Sequence, residues 1–226
     1  MWDRLVPLLA EKNSVITIDL PGHGSSGCLA DVHTMELQAE VVYSILEDLK
    51  VDQIRIMGHS MGGYVALAFT EMYQSMVTTL VLLNSTTIGD SIEIQKNRDR
   101  AIRVMKTNPE LYIGMSIPNL FSENNREQHR PEIEILKKDA LTFPHEGIIA
   151  MLKGMKIRKD RSSVMKNFSR NKYMICGADD PIFELSDMEK LSNETKTMLF
   201  KVNGGHMSVN ENWDEIVKIM HFVDFI

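Results

Sequence analysis

Apolar and polar positions follow two alternating periods over the first 84 residues and again after residue 171. The β-branched run Val15 to Asp19 predicts a strand. Met35, Leu37, Val41, Val42, Ile45, Leu46 and Leu49 recur at helical spacing and predict a helix over 34–49, with Thr34 as its N-cap. "IRIM" at 54–57 predicts a strand, 61–73 a helix and "TLVLL" at 79–83 a strand. Strands that alternate with helices in this way pair in parallel. From Asn84 to about Arg170 the alternation stops, and a polar, helical stretch is punctuated by Pro109, Pro118, Pro131 and Pro144. It resumes with "KYMIC" at 172–176, a short helix near 184–191, a strand at 197–202 and a terminal helix from about 211. Trp213, Ile216, Val217, Met220 and Val223 form the apolar stripe of that last helix, and Ser208 to Glu211 fit its capping box. The expected fold class is α/β: a mostly parallel sheet flanked by helices, with a core of 1–84 and 171–226 and an inserted helical lid at 85–170.

Composition narrows the function classes. The chain has 226 residues, 43% hydrophobic, with a formal net charge of -6. That balance, with no basic stretch interleaved with aromatics, excludes a phosphate-tracking surface and hence nucleic acid as a partner. The two cysteines, Cys28 and Cys176, stand in no Cys-x-x-Cys or Cys/His cluster, so no metal is expected and a reducing compartment is the simple inference. The opening "MWDRLVPLLAEK" is too short in apolar residues for a signal peptide or a membrane span. The expectation is a cytoplasmic protein without a membrane partner.

Two glycine motifs compete to define the chemistry. Gly22-His-Gly24-Ser-Ser-Gly27 spells a dinucleotide loop, but helical periodicity begins only at Thr34, and the acids about twenty residues on, Glu47 and Asp48, lie inside that helix. No nucleotide cofactor follows from it. Gly58-His59-Ser60-Met61-Gly62 has the context its chemistry requires: strand, abrupt turn, helix. A serine held at such a turn sits in strained backbone, and glycines two before and two after are expected to let the turn close. Ser60 then lies at a helix N-terminus, where the Met61 amide and the helix dipole can stabilise an oxyanion.

A serine hydroxyl needs a base, and the base needs an orienting partner. Of seven histidines, His206 in "KVNGGHMSV" sits in a Gly-rich loop directly after a late predicted strand. His59 is expected to pack beneath the turn, and His221 lies in the terminal helix. For the acid, "MICGADDPIF" offers Asp179 and Asp180 at the end of the preceding strand, while Asn84 leaves the position after strand 79–83 without a carboxylate.

Taken together, "DLPGHGSS", "GHSMGGYVAL", "LVLLNS", "GADDPIF" and "GGHM" resemble the α/β-hydrolase family in content and in the chain order Ser, Asp, His. The resemblance spans nearly the whole chain. It implies Ser60 as nucleophile, His206 as base and, by the family's Gly-x-x-Asp spacing, Asp180 as acid, with the Met61 N–H as an oxyanion donor and no cofactor. The implied activity is a serine hydrolase cleaving a small or medium carboxylic ester or thioester. Its rivals are a triad-dependent carbon–carbon lyase or hydrolase on an anionic substrate, and a catalytically impaired ligand-binding member of the fold. The resemblance also implies a hairpin and a strand ending in a His-Gly loop ahead of the strand at 15–19. Nothing of that kind precedes it here, so the sequence is expected to be a fragment with a gap between 15–19 and 54–57.

In the inserted stretch, Met105, Met115, Met151, Met155 and Met165 could form a pliable acyl pocket or simply fill core space. "RDRAIR" from Arg98 and "KIRKDR" from Lys156 read as solvated helix faces or as an attraction for an anionic substrate.

Overall fold

The computed structural model describes residues 1–223 and 225–226. Its centre is a four-stranded parallel sheet in the order β1 (Ile54–His59), β2 (Val77–Leu83), β3 (Asn171–Gly177) and β4 (Met198–Val202). The ladders run His59 to Leu83, Leu83 to Ile175 and Gly177 to Val202, which brings the carboxyl ends of all four strands to one side. Ligand chemistry in parallel sheets gathers on that side.

The sheet separates two cores because successive side chains leave opposite faces. Leu80 and Leu82 of β2 and Met174 and Cys176 of β3 point into one, shared with α2 (Met35–Asp48) and α3 (Met61–Met72). Val81, Leu83 and Ile175 point into the other, with Leu5 and Leu9 of α1 (Leu5–Ala10) and Ile216, Ile219 and Met220 of α11 (Trp213–Phe222). Full burial of a leucine such as Leu82 contributes roughly 1.5–3 kcal/mol. The α2 cap forms as its sequence predicts: Thr34 Oγ1 accepts from the Leu37 N–H at 3.1 Å.

Between β2 and β3 the chain runs through α4 (Ile92–Thr107), α5 (Pro109–Ser116), α6 (Arg130–Thr142), α7 (His145–Lys156) and α8 (Ser162–Asn167). Pro109 and Pro131 stand in the first turns of α5 and α6, where a missing N–H costs nothing. Met105, Ile113, Ile148, Leu152, Met155 and Met165 bury into the same core as α2 and α3. Methionines 105, 155 and 165 are therefore core filling, whereas Met115 is exposed.

Two local expectations are corrected. Residues 15–19 form no strand. Val15 packs on one core and Ile18 on the other, but the segment joins no ladder of the described sheet. The Ser208 to Glu211 capping box does not form. Those residues make a separate turn, α10 (Ser208–Glu211), the N-cap of α11 is Asn212 without a side-chain bond, and both side chains are engaged elsewhere. The remaining helix, α9 (Leu185–Thr195), lies between β3 and β4.

The basic stretches are in part solvated, with Arg100, Arg103 and Lys159 exposed, and in part ion-paired within the chain. Arg98 and Arg158 both pair with the buried Asp90, and Arg158 lies 4.0 Å from the centre of the Tyr64 ring. Lys156 pairs with Asp99 at 2.7 Å. Arg161, 2% exposed, reaches Glu71 at 2.9 Å and Glu36 at 2.7 Å, and Lys159 joins Glu36 at 3.4 Å. "KIRKDR" straps the end of the insertion to α2, α3 and α4.

Candidate active site

The turn from β1 into α3 places Ser60 at φ +52°, ψ -118°, a conformation a side-chain-bearing residue adopts at a cost of about 1–3 kcal/mol. Its surroundings hold it there: the Ser60 N–H donates to the Leu83 carbonyl at 3.0 Å, and the Ser60 carbonyl accepts from the Ser85 hydroxyl at 2.8 Å. A Cβ on Gly58 would collide with the Gly62 carbonyl and the Gly63 amide, so this glycine is required. Gly62 differs from expectation, since a Cβ there meets open space. Gly63 carries the second constraint, because a Cβ on it would strike the Ser85 side chain. Ser60 itself is partly exposed.

His206 follows β4 in a loop that folds back over the sheet end. Its Nε2 lies 2.7 Å from Ser60 Oγ, and its Nδ1 lies 2.9 Å from Asp180 Oδ2. With the imidazole neutral, Nδ1–H donates to the carboxylate and Nε2 accepts from the serine hydroxyl. Of the two acids after β3, Asp180 is the one brought to His206; Asp179 is exposed, and its backbone N–H donates to the Gly204 carbonyl at 3.0 Å. Burial alone would raise the Asp180 carboxyl, but the His206 hydrogen bond and charge, the Asn84 amide and the Ile182 N–H outweigh it and hold the group below its ordinary value. Ile182 N at 2.8 Å and Phe183 N at 3.2 Å occupy the second carboxylate oxygen. The Met61 N–H, first amide of α3, belongs to a helix turn whose amides have no partner within the helix.

Two further residues shape this arrangement. Asn84, fully buried at the carboxyl end of β2 with φ +44°, donates from Nδ2 to Asp180 Oδ2 at 2.9 Å and to the Gly205 carbonyl at 3.2 Å. Its Oδ1 accepts from the Ser208 hydroxyl. Sequence reasoning noted only that Asn84 is no acid; a short amide directly after a buried strand was the available signal. His59 donates from Nε2–H to the His206 carbonyl at 2.8 Å, and the two rings stand 5.1 Å apart. Burial, followed by the nearby His206, pushes the His59 imidazole down to about 3, so it stays neutral.

The "PGHGSSG" loop closes on itself. The Gly22 N–H donates to the Gly27 carbonyl at 2.9 Å, and the Asp19 carboxylate accepts from the Ser25 N–H at 3.0 Å. Gly22, at φ +80°, abuts α7, where an added Cβ would lie 2.6 Å from Gly147 Cα. Helix α2 begins eight residues after Gly27, too late to cradle a phosphate on that loop. Among the described residues no cluster of three or more His, Cys, Asp or Glu side chains is placed to hold a metal ion, and no helix is long and apolar enough to cross a membrane.

A parallel sheet whose strand-to-helix turn presents a strained serine to a histidine–aspartate pair defines the α/β-hydrolase class. The family model described as alpha/beta hydrolase fold matches residues 1–122, and the chain belongs to that family. Among curated relatives, it is 35% identical over 89 residues to the dihydrolipoyllysine-residue acetyltransferase component of the acetoin cleaving system of Pseudomonas putida, covering 39% of this chain and 24% of that one. It is 28% identical over 167 residues to a 2-hydroxy-6-oxononadienedioate/2-hydroxy-6-oxononatrienedioate hydrolase of Cupriavidus pinatubonensis, covering 73% and 52%. The chain thus spans about half the length of these relatives or less. Among solved structures, a thermophilic esterase from Thermogutta terrifontis superposes with a TM-score of 0.83 at 28% identity, over 89% of this chain and 76% of that one.

Proposed function

We propose that this α/β-hydrolase is a serine hydrolase that cleaves small or medium carboxylic esters, or thioesters, through Ser60, His206 and Asp180. The observation that carries the reading is the unbroken hydrogen-bonded line from Asp180 Oδ2 through His206 to Ser60 Oγ, 2.9 Å and 2.7 Å long. In the first half-reaction Ser60 Oγ attacks the carbonyl carbon while its proton passes to His206 Nε2. The carbonyl oxygen becomes an oxyanion beside the Met61 N–H. Collapse breaks the ester C–O bond, and His206 returns its proton to the departing alkoxide. Water then attacks the acyl-enzyme, gives its proton to His206 and frees the acid as Ser60 recovers its own. Asp180 keeps Nδ1 protonated and so leaves Nε2 as the acceptor. On this reading residues 85–170 are the lid that shapes the substrate space.

The Cupriavidus relative favours a second reading, hydrolysis of a carbon–carbon bond in an anionic substrate by the same three residues. Against it stands the ion pairing of the basic stretches: Arg98, Lys156, Arg158, Lys159 and Arg161 all face carboxylates of this chain. The esterase from Thermogutta is in keeping with the first reading.

Labelling by a fluorophosphonate probe tests the proposal, comparing the chain with its Ser60→Ala and His206→Ala variants. Labelling that is lost in both is the expected result. A folded chain that does not label would overturn the hydrolase reading in favour of a ligand-binding role. Turnover of short-chain nitrophenyl esters but not of dianionic vinylogous diketones separates the two catalytic readings.

A further inference from the structure

The loop that carries His206 has no ladder or helix of its own, so the partners of its backbone groups decide where the imidazole sits. They come from separate parts of the chain. The Gly204 carbonyl accepts from the Asp179 N–H, the Gly205 carbonyl from Asn84, and the His206 carbonyl from His59. The His206 N–H donates to the Leu120 carbonyl at 2.9 Å, and the Gly205 N–H to Glu211 Oε1 at 3.0 Å. Leu120 belongs to the insertion, and Glu211 leads back to it. The other Glu211 oxygen accepts from the Ser122 N–H at 3.1 Å and from Asn125 Nδ2 at 2.9 Å. One carboxylate therefore holds the His206 loop with one oxygen and the 120–125 segment with the other.

We propose that Glu211 is a positioning residue of the site: it couples the seat of His206 to the 120–125 segment of the insertion, so that the base is aligned with Ser60 only while that segment is docked. The inference rests on the reading of His206 as the base. The chemistry at Glu211 demands a carboxylate in particular. Three N–H donors converge on it from two sides, and an amide in its place would turn a donor toward either the Gly205 N–H or the Ser122 and Asn125 donors. The half-buried, mutually satisfied arrangement also explains why Glu211 forgoes a local capping role at α11.

A reciprocal exchange in the full chain tests this. Glu211→Gln sets an amide donor against the Gly205 N–H or the Ser122 N–H whichever way it turns, Asn125→Asp faces acceptor with acceptor, and the double variant relieves the second clash but not the first. On 4-nitrophenyl acetate each single variant is expected to lose about tenfold to a hundredfold in kcat, the scale of a displaced catalytic group, with KM within about twofold. The double variant is expected to lose no more than Glu211→Gln does alone. The downfield proton resonance of His206 Nδ1–H, hydrogen-bonded to Asp180, should broaden or vanish in both singles. Single variants that keep both kcat and the resonance, or losses in kcat that add in the double variant, would overturn the proposal. If the wild-type chain neither labels nor turns over, the hydrolase reading fails separately, and the resonance alone then decides: unchanged in Glu211→Gln, it refutes the coupling.

Discussion

Replacement of Asn84 isolates the part of the site that holds the acid rather than performs the chemistry. Asn84→Ala deletes both amide donations and the acceptor for Ser208. Asp180 keeps three donors, His206, Ile182 and Phe183, so the carboxylate remains satisfied. The Gly205 carbonyl and the Ser208 hydroxyl lose these partners in buried surroundings, at about 1–3 kcal/mol each. The backbone at φ +44° adds about 1–2 kcal/mol for alanine, which lacks the local hydrogen bonding that eases asparagine there. The expected loss is about 3–8 kcal/mol in urea unfolding, and Asn84→Gly should recover about 1 kcal/mol of it by relieving the backbone. Asn84→Asp sharpens the argument, because it sets a second carboxylate against Asp180 Oδ2 and the Gly205 carbonyl. That group is comfortable only when protonated, so its folded pKa lies above its unfolded value of about 3.9. A raised folded pKa means the variant is least destabilised below about pH 4, and its gap to wild type widens as pH climbs from there toward the raised folded pKa. A gap independent of pH between 3 and 7, or an Asn84→Ala loss under about 1 kcal/mol, would refute the buried network as drawn.

Other substitutions separate the constraints of the elbow and the acid. Gly58→Ala should abolish folding or cost more than about 3 kcal/mol because the methyl meets backbone, whereas Gly62→Ala should be neutral or stabilising by up to about 1 kcal/mol; thermal melting of the pair decides, and equal losses would contradict the geometry. Asp180 has a lowered folded pKa, so its contribution to stability is present above the unfolded value of about 3.9 and disappears as pH falls through the folded one. The stability difference between wild type and Asp180→Asn is therefore expected to shrink below about pH 4, and a constant difference in a urea series from pH 2 to 6 would disprove it.

Helix α2 was legible because its signals are local: an apolar stripe and a threonine cap lie within fifteen residues of each other. The elbow was legible for the same reason, although Gly63 rather than Gly62 proved the second tight position, a matter decided by Ser85 from another strand end. Residues 15–19 show the limit. They carry strand propensity, but a ladder is a property of two segments, and they pair with none of the four described strands. The Ser208 and Glu211 pattern matches a capping box, yet Asn84 and Gly205 compete successfully for those side chains from outside the window. Charges misled similarly. "KIRKDR" is strongly basic in isolation, and only the fold brings Glu36, Glu71, Asp90 and Asp99 to it.

The insertion leaves the sheet after β2 and returns at β3, and these strands are hydrogen-bonded neighbours, with Thr79 opposite Asn171. Because the two strands run parallel, the chain leaves at the carboxyl end of β2 and re-enters at the amino end of β3, so the insertion is a crossover that runs from one end of the sheet to the other. The sheet fixes both ends of that crossover, which makes the intervening helices exchangeable in evolution or in the laboratory: they can lengthen, shorten or change their lining while Ser60, Asp180 and Asn84 stay on their strand ends. The exchange has one condition. A replacement must still offer a carbonyl to the His206 amide and two donors to Glu211, as Leu120, Ser122 and Asn125 do now. A transplanted insertion that lacks those three groups would inherit the serine and lose the alignment of its histidine.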